Sequence, residues 1–398
     1  MAQASAERLL EQIEAFNQTD CSFLPPDLRT RLAEATKTTS LRLETPVEVV
    51  TRILITQPME AIAVRIGTDL RVFSAIGNKQ LTTTELAAAT GATPELMGRV
   101  LRALAAYGAV KEVDVNKYTS SPNHALFQRK DLEEAFSNCQ DILIKSLAGL
   151  PGFLASTGYR EPTDPTNTAI QYSYGVKGKG YMETLMTDPT NINALSSFSV
   201  LMSIWADGFT QMADIYPVKD RLETGFDTES AMFVDVGGGH GQKTIALKKI
   251  FPELPGRFIV QDTPQVLGGA AKDDEAYKGI ELTPHDFFGP QPVKGARCYY
   301  IRQCLHNWPD SSCTKILRQL KEAAKPGYSR ILIHEIIVPE IGASTWVASQ
   351  DFNMMSMFAV SERSEQQWRA LAESAGLEVS NVYINNHPSR EGILELTA

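Results

Sequence analysis

Residues 231–250, AMFVDVGGGHGQKTIALKKI, decide the fold. A short, mostly apolar run suited to a buried strand enters a glycine turn and then a helix-length segment. That order leaves backbone N–H groups free at the helix start, where a negative ligand group can settle. The glycines let such a ligand approach the main chain closely. Working outward, RFIVQD (257–262), GIELTPHDF (279–287), RCYYIRQC (297–304) and SRILIHEIIV (329–338) are four further strand candidates separated by helix-length segments. The alternation predicts an α/β fold, a doubly wound parallel sheet with helices on both faces. The tail adds LEVSNVYINN (377–386) and GILELTA (392–398), expected to form a hairpin on the sheet. Seven strands, mostly parallel, are therefore expected.

The glycine spacing separates three ligands. A phosphate-binding P-loop needs Gly-x-x-x-x-Gly-Lys-Ser/Thr; from Gly237 the chain reaches Gln242, Lys243 and Thr244, so the second glycine is missing. A dinucleotide fingerprint, Gly-x-Gly-x-x-Gly, is one residue longer than Gly237, Gly239 and Gly241. What stands is Asp-x-Gly-x-Gly-x-Gly, with Asp262 closing the second strand 25 residues after Gly237. That carboxylate is placed to take the two hydroxyls of a ribose.

Composition narrows the class. The chain of 398 residues carries 38 basic and 47 acidic side chains, a net charge of −9 that disfavours polyanionic partners. Hydrophobic residues at 43% and charged ones at 21% describe a soluble chain with a large core, not a disordered one. No run approaches membrane-spanning length. The start, MAQASAERLLEQIEAFNQTD, mixes Glu7, Glu11 and Glu14 into its apolar residues, unlike a secretory leader. Cys21, Cys139, Cys298, Cys304 and Cys313 form no Cys-x-x-Cys pair and read as reduced thiols of a cytoplasmic protein. Nothing has metal-ligand spacing, so metal-free chemistry is expected.

Residues 1–130 read as mainly helical. Leu9, Leu10, Ile13 and Phe16 fall at helical spacing, Leu28, Leu32 and Ala35 mark a second helix, and Thr45-Pro46 opens a third with Val49, Val50, Ile53 and Leu54 on one face. In LTTTELAAATGATPELMGRVLRALAAYGAVKEV (81–113), Thr84 is expected to cap a helix through Thr90, Gly91 to close it, and Thr93-Pro94 to open the next. A β-wing follows, giving a winged helix-turn-helix pattern. Its second helix sets only Arg99 and Arg102 against Glu95, too few cations to neutralise duplex phosphates. A scaffold or dimerisation module is expected, not a nucleic-acid binder. From 131 to 225 the chain is again helical, with runs near Asp131–Leu147, Met182–Met186 and Asn193–Ala213 around a Pro/Gly-rich break, LPGFLASTGYREPTDP (150–165), expected to be a loop. The expected domains are 1–130, winged-helix-like, and 131–398, divided into a helical pocket segment (131–225) and the doubly wound core (226–398).

The series DVGGGHG, QD, HDFF, LHNWPD, HE and SER, in this order and spacing, resembles the class I S-adenosylmethionine-dependent O-methyltransferases of plant and fungal secondary metabolism. The resemblance covers essentially the whole chain and is specific from Asp235 to Glu362. It implies a Rossmann-like methyltransferase fold, S-adenosylmethionine as cofactor with S-adenosylhomocysteine as product, and an intertwined homodimer built by the winged-helix half. It further implies that Gly237 and Gly239 line the cofactor loop, that Asp262 holds the ribose, that Asp286 and Phe287 flank the adenine, and that Trp308 packs beside that ring. Arg302 stands where the family usually has a lysine near the cofactor. Within the family the sequence is most similar to fungal polyketide-type enzymes, which implies a phthalide phenol with a prenyl-derived acid chain as acceptor.

For such a reaction the acceptor is the difficulty. A phenol of pKa about 10 is only about 0.1% ionised at pH 7. A base that takes its proton contributes roughly 10²–10⁴-fold. Histidine is free at neutral pH but falls about 3.5 units short of a phenol, roughly 5 kcal/mol, so a carboxylate that steadies the imidazolium helps. His306, in LHNWPD after the fourth strand, is the expected base. Glu335 ends the next strand, Glu362 follows a helix over 351–360, and the family pattern places one glutamate on each side of the histidine. Asn307 stands where the family often has aspartate, which bears on acceptor choice. His334 should point to the opposite face of its strand from Glu335.

The acceptor is expected against aromatic and methionine side chains of two helices. Phe198, Met202 and Trp205 lie in one, and Phe352, Met355 and Phe358 in the other. Flexible methionines beside aromatic faces suit a flat phenol. Two other functions fit parts of the sequence. One is a pericyclase or cyclase of the same fold that uses the bound sulfonium as a fixed charge; relatives of that kind typically lose the base constellation, which is intact here. The other is a winged-helix regulator with a ligand-sensing domain.

Overall fold

The computed structural model describes residues 2–19, 21, 24–208, 210–269, 275–385 and 387–397. Phe209, Asn386 and Ala398, which the expected elements include, lie outside them. The chain forms two compact units, Met1–Pro58 and Met59–Ala398.

The first unit contains the helices Ala2–Phe16, Pro26–Leu43 and Pro46–Thr51, the last running on as a π-helical turn, Arg52–Thr56. Thr45 starts its helix with a reciprocal capping box to Glu48. Its apolar side chains stay at the surface: Leu43, Val47 and Leu54 are more than two-thirds exposed.

In the second unit a helix pair and wing follow the helices Gln57–Asp69 and Val72–Ile76. Strands β1 (Leu81–Thr82), β2 (Val110–Asp114) and β3 (Lys117–Ser120) form an antiparallel sheet in the order β1-β3-β2, beside the helices Thr83–Thr90 and Pro94–Ala106. Leu86, Met97, Leu101 and Leu104 are buried in its core. The first helix is capped by Thr82, not by Thr84: its hydroxyl accepts from Glu85 N at 3.2 Å, and the Glu85 carboxylate accepts from Thr82 N at 2.7 Å. The glutamate decides the choice, because a capping box needs it three residues after the cap.

The main sheet comprises β4 (Ala231–Val236), β5 (Arg257–Asp262), β6 (Ile280–Pro284), β7 (Cys298–Arg302), β8 (Arg330–Val338), β10 (Glu378–Ile384) and β11 (Glu391–Thr397), in the order β10-β11-β8-β7-β4-β5-β6. Strands β4 to β8 pair in parallel, while β11 runs antiparallel to β8 and β10 antiparallel to β11. An eighth, two-residue strand, β9 (Arg363–Ser364), pairs with the end of β8 and has no counterpart in the sequence reading. It is too short for periodicity to reveal. Alternation divides the core: Tyr299, Ile301, Ile331 and Ile333 face one helical layer, whereas Cys298, Tyr300 and Leu332 face the other. Order reverses beside β4, which has β5 on one side and β7 on the other, so a crevice lies at the carboxyl ends of these strands.

Between wing and sheet, one helix runs Lys130–Ser156 straight through Pro151, where a loop is expected from sequence. Leu150 and Phe153 are buried, and that burial outweighs the hydrogen bond that proline forgoes. Gly149 and Gly152 are not breaks either. A Cβ at Gly149 would collide with Ser173 Oγ and one at Gly152 with the Tyr172 hydroxyl, so these glycines let the helix Ala169–Tyr174 pack closely. The segment expected as one helix over 193–213 is a helix at Ala194–Gly208 and a separate turn at Met212–Ile215.

Candidate active site

Beyond β7 the chain turns sharply. Gln303 adopts the left-handed conformation (φ 45°) and is followed by a 3-10 turn, Leu305–Asn307, that presents His306. On β8, His334 and Glu335 point to opposite faces as alternation requires. Glu335 Oε1 accepts from the backbone N–H of Cys304 (3.0 Å) and Leu305 (2.9 Å), and its Oε2 lies 3.9 Å from His306 Nδ1. Glu362 Oε1 is 2.9 Å from the same nitrogen. The three residues named from sequence are thus brought together, with Nδ1 held by carboxylates and Nε2 turned away from them. Burial alone would depress the His306 pKa, but the Glu335 charge and the Glu362 hydrogen bond outweigh it and raise it to about 9. Burial raises Glu335, against the His306 charge.

The glycine loop lies next to this turn. Gly237 (φ 69°), Gly239 (φ 60°) and Gly241 (φ 81°) all take the left-handed conformation. A Cβ on Gly237 would come within 2.9 Å of Cys304 Sγ and 3.3 Å of Phe287, which places loop, base turn and Phe287 side by side. Asp262 Oδ2 accepts from Gly239 N–H at 2.9 Å. Behind the loop, buried Asp235 accepts from the Thr244 hydroxyl at 2.7 Å and pins the following helix. Asp286 is exposed, two residues beyond the end of β6, and accepts from Phe288 N–H at 3.0 Å. Phe287 and Phe288 both meet Trp308 edge-on, at 6.3 and 4.9 Å. Arg302 turns to Glu391 on β11, with Nη2 3.2 Å from both carboxylate oxygens.

An O-methyltransferase domain matches residues 201–378. Demethylsterigmatocystin 6-O-methyltransferase of Aspergillus parasiticus is 35% identical over 330 residues, 82% of this chain and 83% of that protein. The chain belongs to the S-adenosylmethionine-dependent O-methyltransferases. Two solved structures share its architecture. LepI in complex with SAM superposes with a TM-score of 0.86 at 31% identity, covering 100% of each chain. A structure described as a pericyclic reaction enzyme gives 0.85 at 31% identity, covering 100% of this chain and 99% of that one.

In this O-methyltransferase the residues at the glycine loop fit the family's cofactor. A Cβ at Gly239 would meet nothing nearer than 3.9 Å, so the loop is open on the side where a ligand would lie. Asp262, bound to that loop, keeps lone pairs for a ribose, and Phe287 offers an apolar face beside it. Among the described residues no group of three or more His, Cys, Asp or Glu side chains could hold a metal ion.

The acceptor side is less tightly drawn together. Trp205 meets Trp346 edge-on at 6.4 Å, and Met202 is half-buried. Phe352 is 55% exposed and Phe198 42%. Met355 packs toward Leu150, Phe153 and Ala169, and Phe358 lies 4.8 Å from Tyr181. Asn307 Nδ2 points back to the Gln303 carbonyl at 3.5 Å. Sequence reasoning missed three supports of the His306 turn. Asp351 Oδ1 accepts from Glu362 N–H at 2.8 Å. Arg363 donates to the Leu305 and Trp308 carbonyls at 3.3 and 2.8 Å, holding both ends of the His306 turn. Gln303 supplies the turn itself. Only Arg363 carried a signal, as the last residue of the Ser-Glu-Arg motif. The other histidines have local roles: His124 lies against Phe73 and Phe127, and His387 Nδ1 is 2.9 Å from Ser389 Oγ.

Proposed function

We propose that this enzyme methylates a phenolic hydroxyl of a small aromatic secondary metabolite, with His306 as general base. The observation that carries the reading is the 2.9 Å contact of His306 Nδ1 with Glu362, backed by Glu335 at 3.9 Å. With Nδ1 so engaged, Nε2 is left to take the acceptor proton. The cofactor supplies an electrophilic methyl on a positively charged sulfur. His306 would take the hydroxyl proton as the methyl passes from sulfur to the acceptor oxygen, the carbon–sulfur bond breaking as the carbon–oxygen bond forms and S-adenosylhomocysteine leaving, and the imidazolium would rest between two carboxylates. Raising His306 to about 9 narrows its gap to a phenol to roughly one unit, or about 1.4 kcal/mol.

Gly237, Gly239, Asp262, Asp286, Phe287 and Arg302 are assigned to the cofactor side. Met202, Trp205, Asn307, Phe352 and Met355 are assigned to the acceptor side. Residues 1–130 are assigned to dimerisation, supported by the exposed apolar side chains of the first three helices. The demethylsterigmatocystin enzyme supports an aromatic polyketide as acceptor class; no comparison supports the phthalide in particular. The likeness to a pericyclic reaction enzyme favours a second reading, in which the bound cofactor acts only as a charge.

The test is His306→Ala, assayed with methyl-labelled S-adenosylmethionine and a panel of phenols. Turnover should fall at least ~10²-fold while cofactor affinity stays within a few fold. Wild-type turnover in the variant would remove His306 as base. Product formed without label transfer would establish the charge-only reading.

A further inference from the structure

A second buried polar cluster lies on the sheet face opposite His306. The Tyr300 hydroxyl lies 2.6 Å from His334 Nδ1, and His334 Nε2 is 3.1 Å from Glu391 Oε2. Burial holds His334 down to about 4, so it is neutral at pH 7. The donors to Glu391 come from consecutive residues at the end of β7: Arg302 Nη2 at 3.2 Å to each oxygen, and Gln303 Nε2 at 3.3 Å. His334 and Glu391 are wholly buried.

The link is the backbone. Gln303 is the residue forced into the left-handed conformation, which costs any side chain with a Cβ and which only glycine takes freely. That twist aims the next two N–H groups, of Cys304 and Leu305, at Glu335 Oε1 and delivers His306 to Glu362. Gln303 N–H also donates to the His334 carbonyl at 3.1 Å, so one residue on β8 anchors both the turn and the carboxylate that grips it.

We infer that Glu391 is a positioning residue for His306: holding Arg302 and Gln303 from the far face of the sheet, it keeps the left-handed turn that places the imidazole between its two glutamates. The inference rests on His306 being the base. A chain lacking this grip relaxes at Gln303 and swings His306 away from Glu362, and a displacement of about 1 Å costs on the order of 10²-fold.

The experiment compares Glu391→Gln, Gln303→Ala, Gln303→Gly and the double variant Glu391→Gln with Gln303→Gly, each for kcat, acceptor KM, cofactor Kd and the pH profile of kcat/KM. Glu391→Gln should lower kcat by ~10–100-fold, leave cofactor Kd within about threefold, and move the rising limb of the profile to lower pH, because His306 loses its glutamates. Gln303→Gly, which relieves the strain, should restore most of that loss in the double variant and should exceed Gln303→Ala in kcat by about tenfold. Failure of rescue, or a loss appearing in cofactor Kd instead of kcat, overturns the proposal in favour of a role through Arg302. Should Glu391→Gln not fold, the Gln303 pair decides, and equal kcat in alanine and glycine variants overturns it. If His306→Ala is inactive while Glu391→Gln keeps wild-type kcat and pH profile, this inference fails and the base assignment stands. An active His306→Ala removes the base assignment itself.

Discussion

With His306 as the proposed base, its two carboxylates together would act on rate in two opposing ways. They make the imidazole a stronger base, yet a group raised to about 9 is only about 1% free at pH 7. Because the protonated form is the one stabilised, free base appears as pH rises through 9. The prediction is that kcat/KM climbs close to tenfold per unit from pH 6 to 8 and levels only near 9. Glu362→Gln removes a hydrogen bond and a charge that both raise the pKa, so the limb should move to lower pH. The plateau should fall by at least ~10-fold as the ring loses its anchor at Nδ1. A pH–rate series on both proteins checks it, and an unmoved limb in the variant would remove Glu362 as a partner of the base. His306, Glu335 and Glu362 were legible from their motifs and spacing, although Glu335 lies inside β8 and not at its end as expected, because the strand runs on through Ile336, Ile337 and Val338. Asp351 and Gln303 were not: the first acts through a backbone N–H eleven residues along the chain, and the second through a backbone angle.

Among elements, the helix Lys130–Ser156 is where reading and structure part most plainly. Gly149, Pro151 and Gly152 carry the local signature of a break. Their effect is overridden by contacts with the helix Ala169–Tyr174 that no local rule can anticipate. The strands of the sheet, by contrast, announce themselves, since β4, β7 and β8 are nearly continuous apolar runs buried on both faces. If the glycines serve close packing, Gly149→Ala should destabilise, although alanine is the better helix former by about 1 kcal/mol. The intruding methyl meets Ser173, and overpacking of this kind costs roughly 1–3 kcal/mol. A lowered midpoint in thermal unfolding supports this, and trimming the neighbour in a Gly149→Ala, Ser173→Gly double variant should recover part of it. A raised midpoint for Gly149→Ala alone would show that the helix has room there.

For the whole molecule, the sheet with its glycine loop follows from the sequence, whereas the acceptor does not. Its walls come from helices far apart in the chain, and Phe198 and Phe352 remain substantially exposed. The first three helices pose the same question on a larger scale. In them Leu41, Leu43, Val47, Val50, Ile53, Leu54 and Ile55 all stand at the surface. Burying a side chain of this size is worth roughly 1.5–3 kcal/mol, so this many exposed apolar side chains in one segment are the basis for the proposed association. The expected partner is a second copy, because one patch meeting itself across a two-fold axis satisfies both chains at once. Light scattering on the wild type should return about twice 43.8 kDa. Placing Ile53→Glu and Leu54→Glu together would bury two unpaired charges at that face and should shift the protein to monomer. A wild type that is monomeric at micromolar concentration, or a double variant that stays dimeric, would remove this face as the interface.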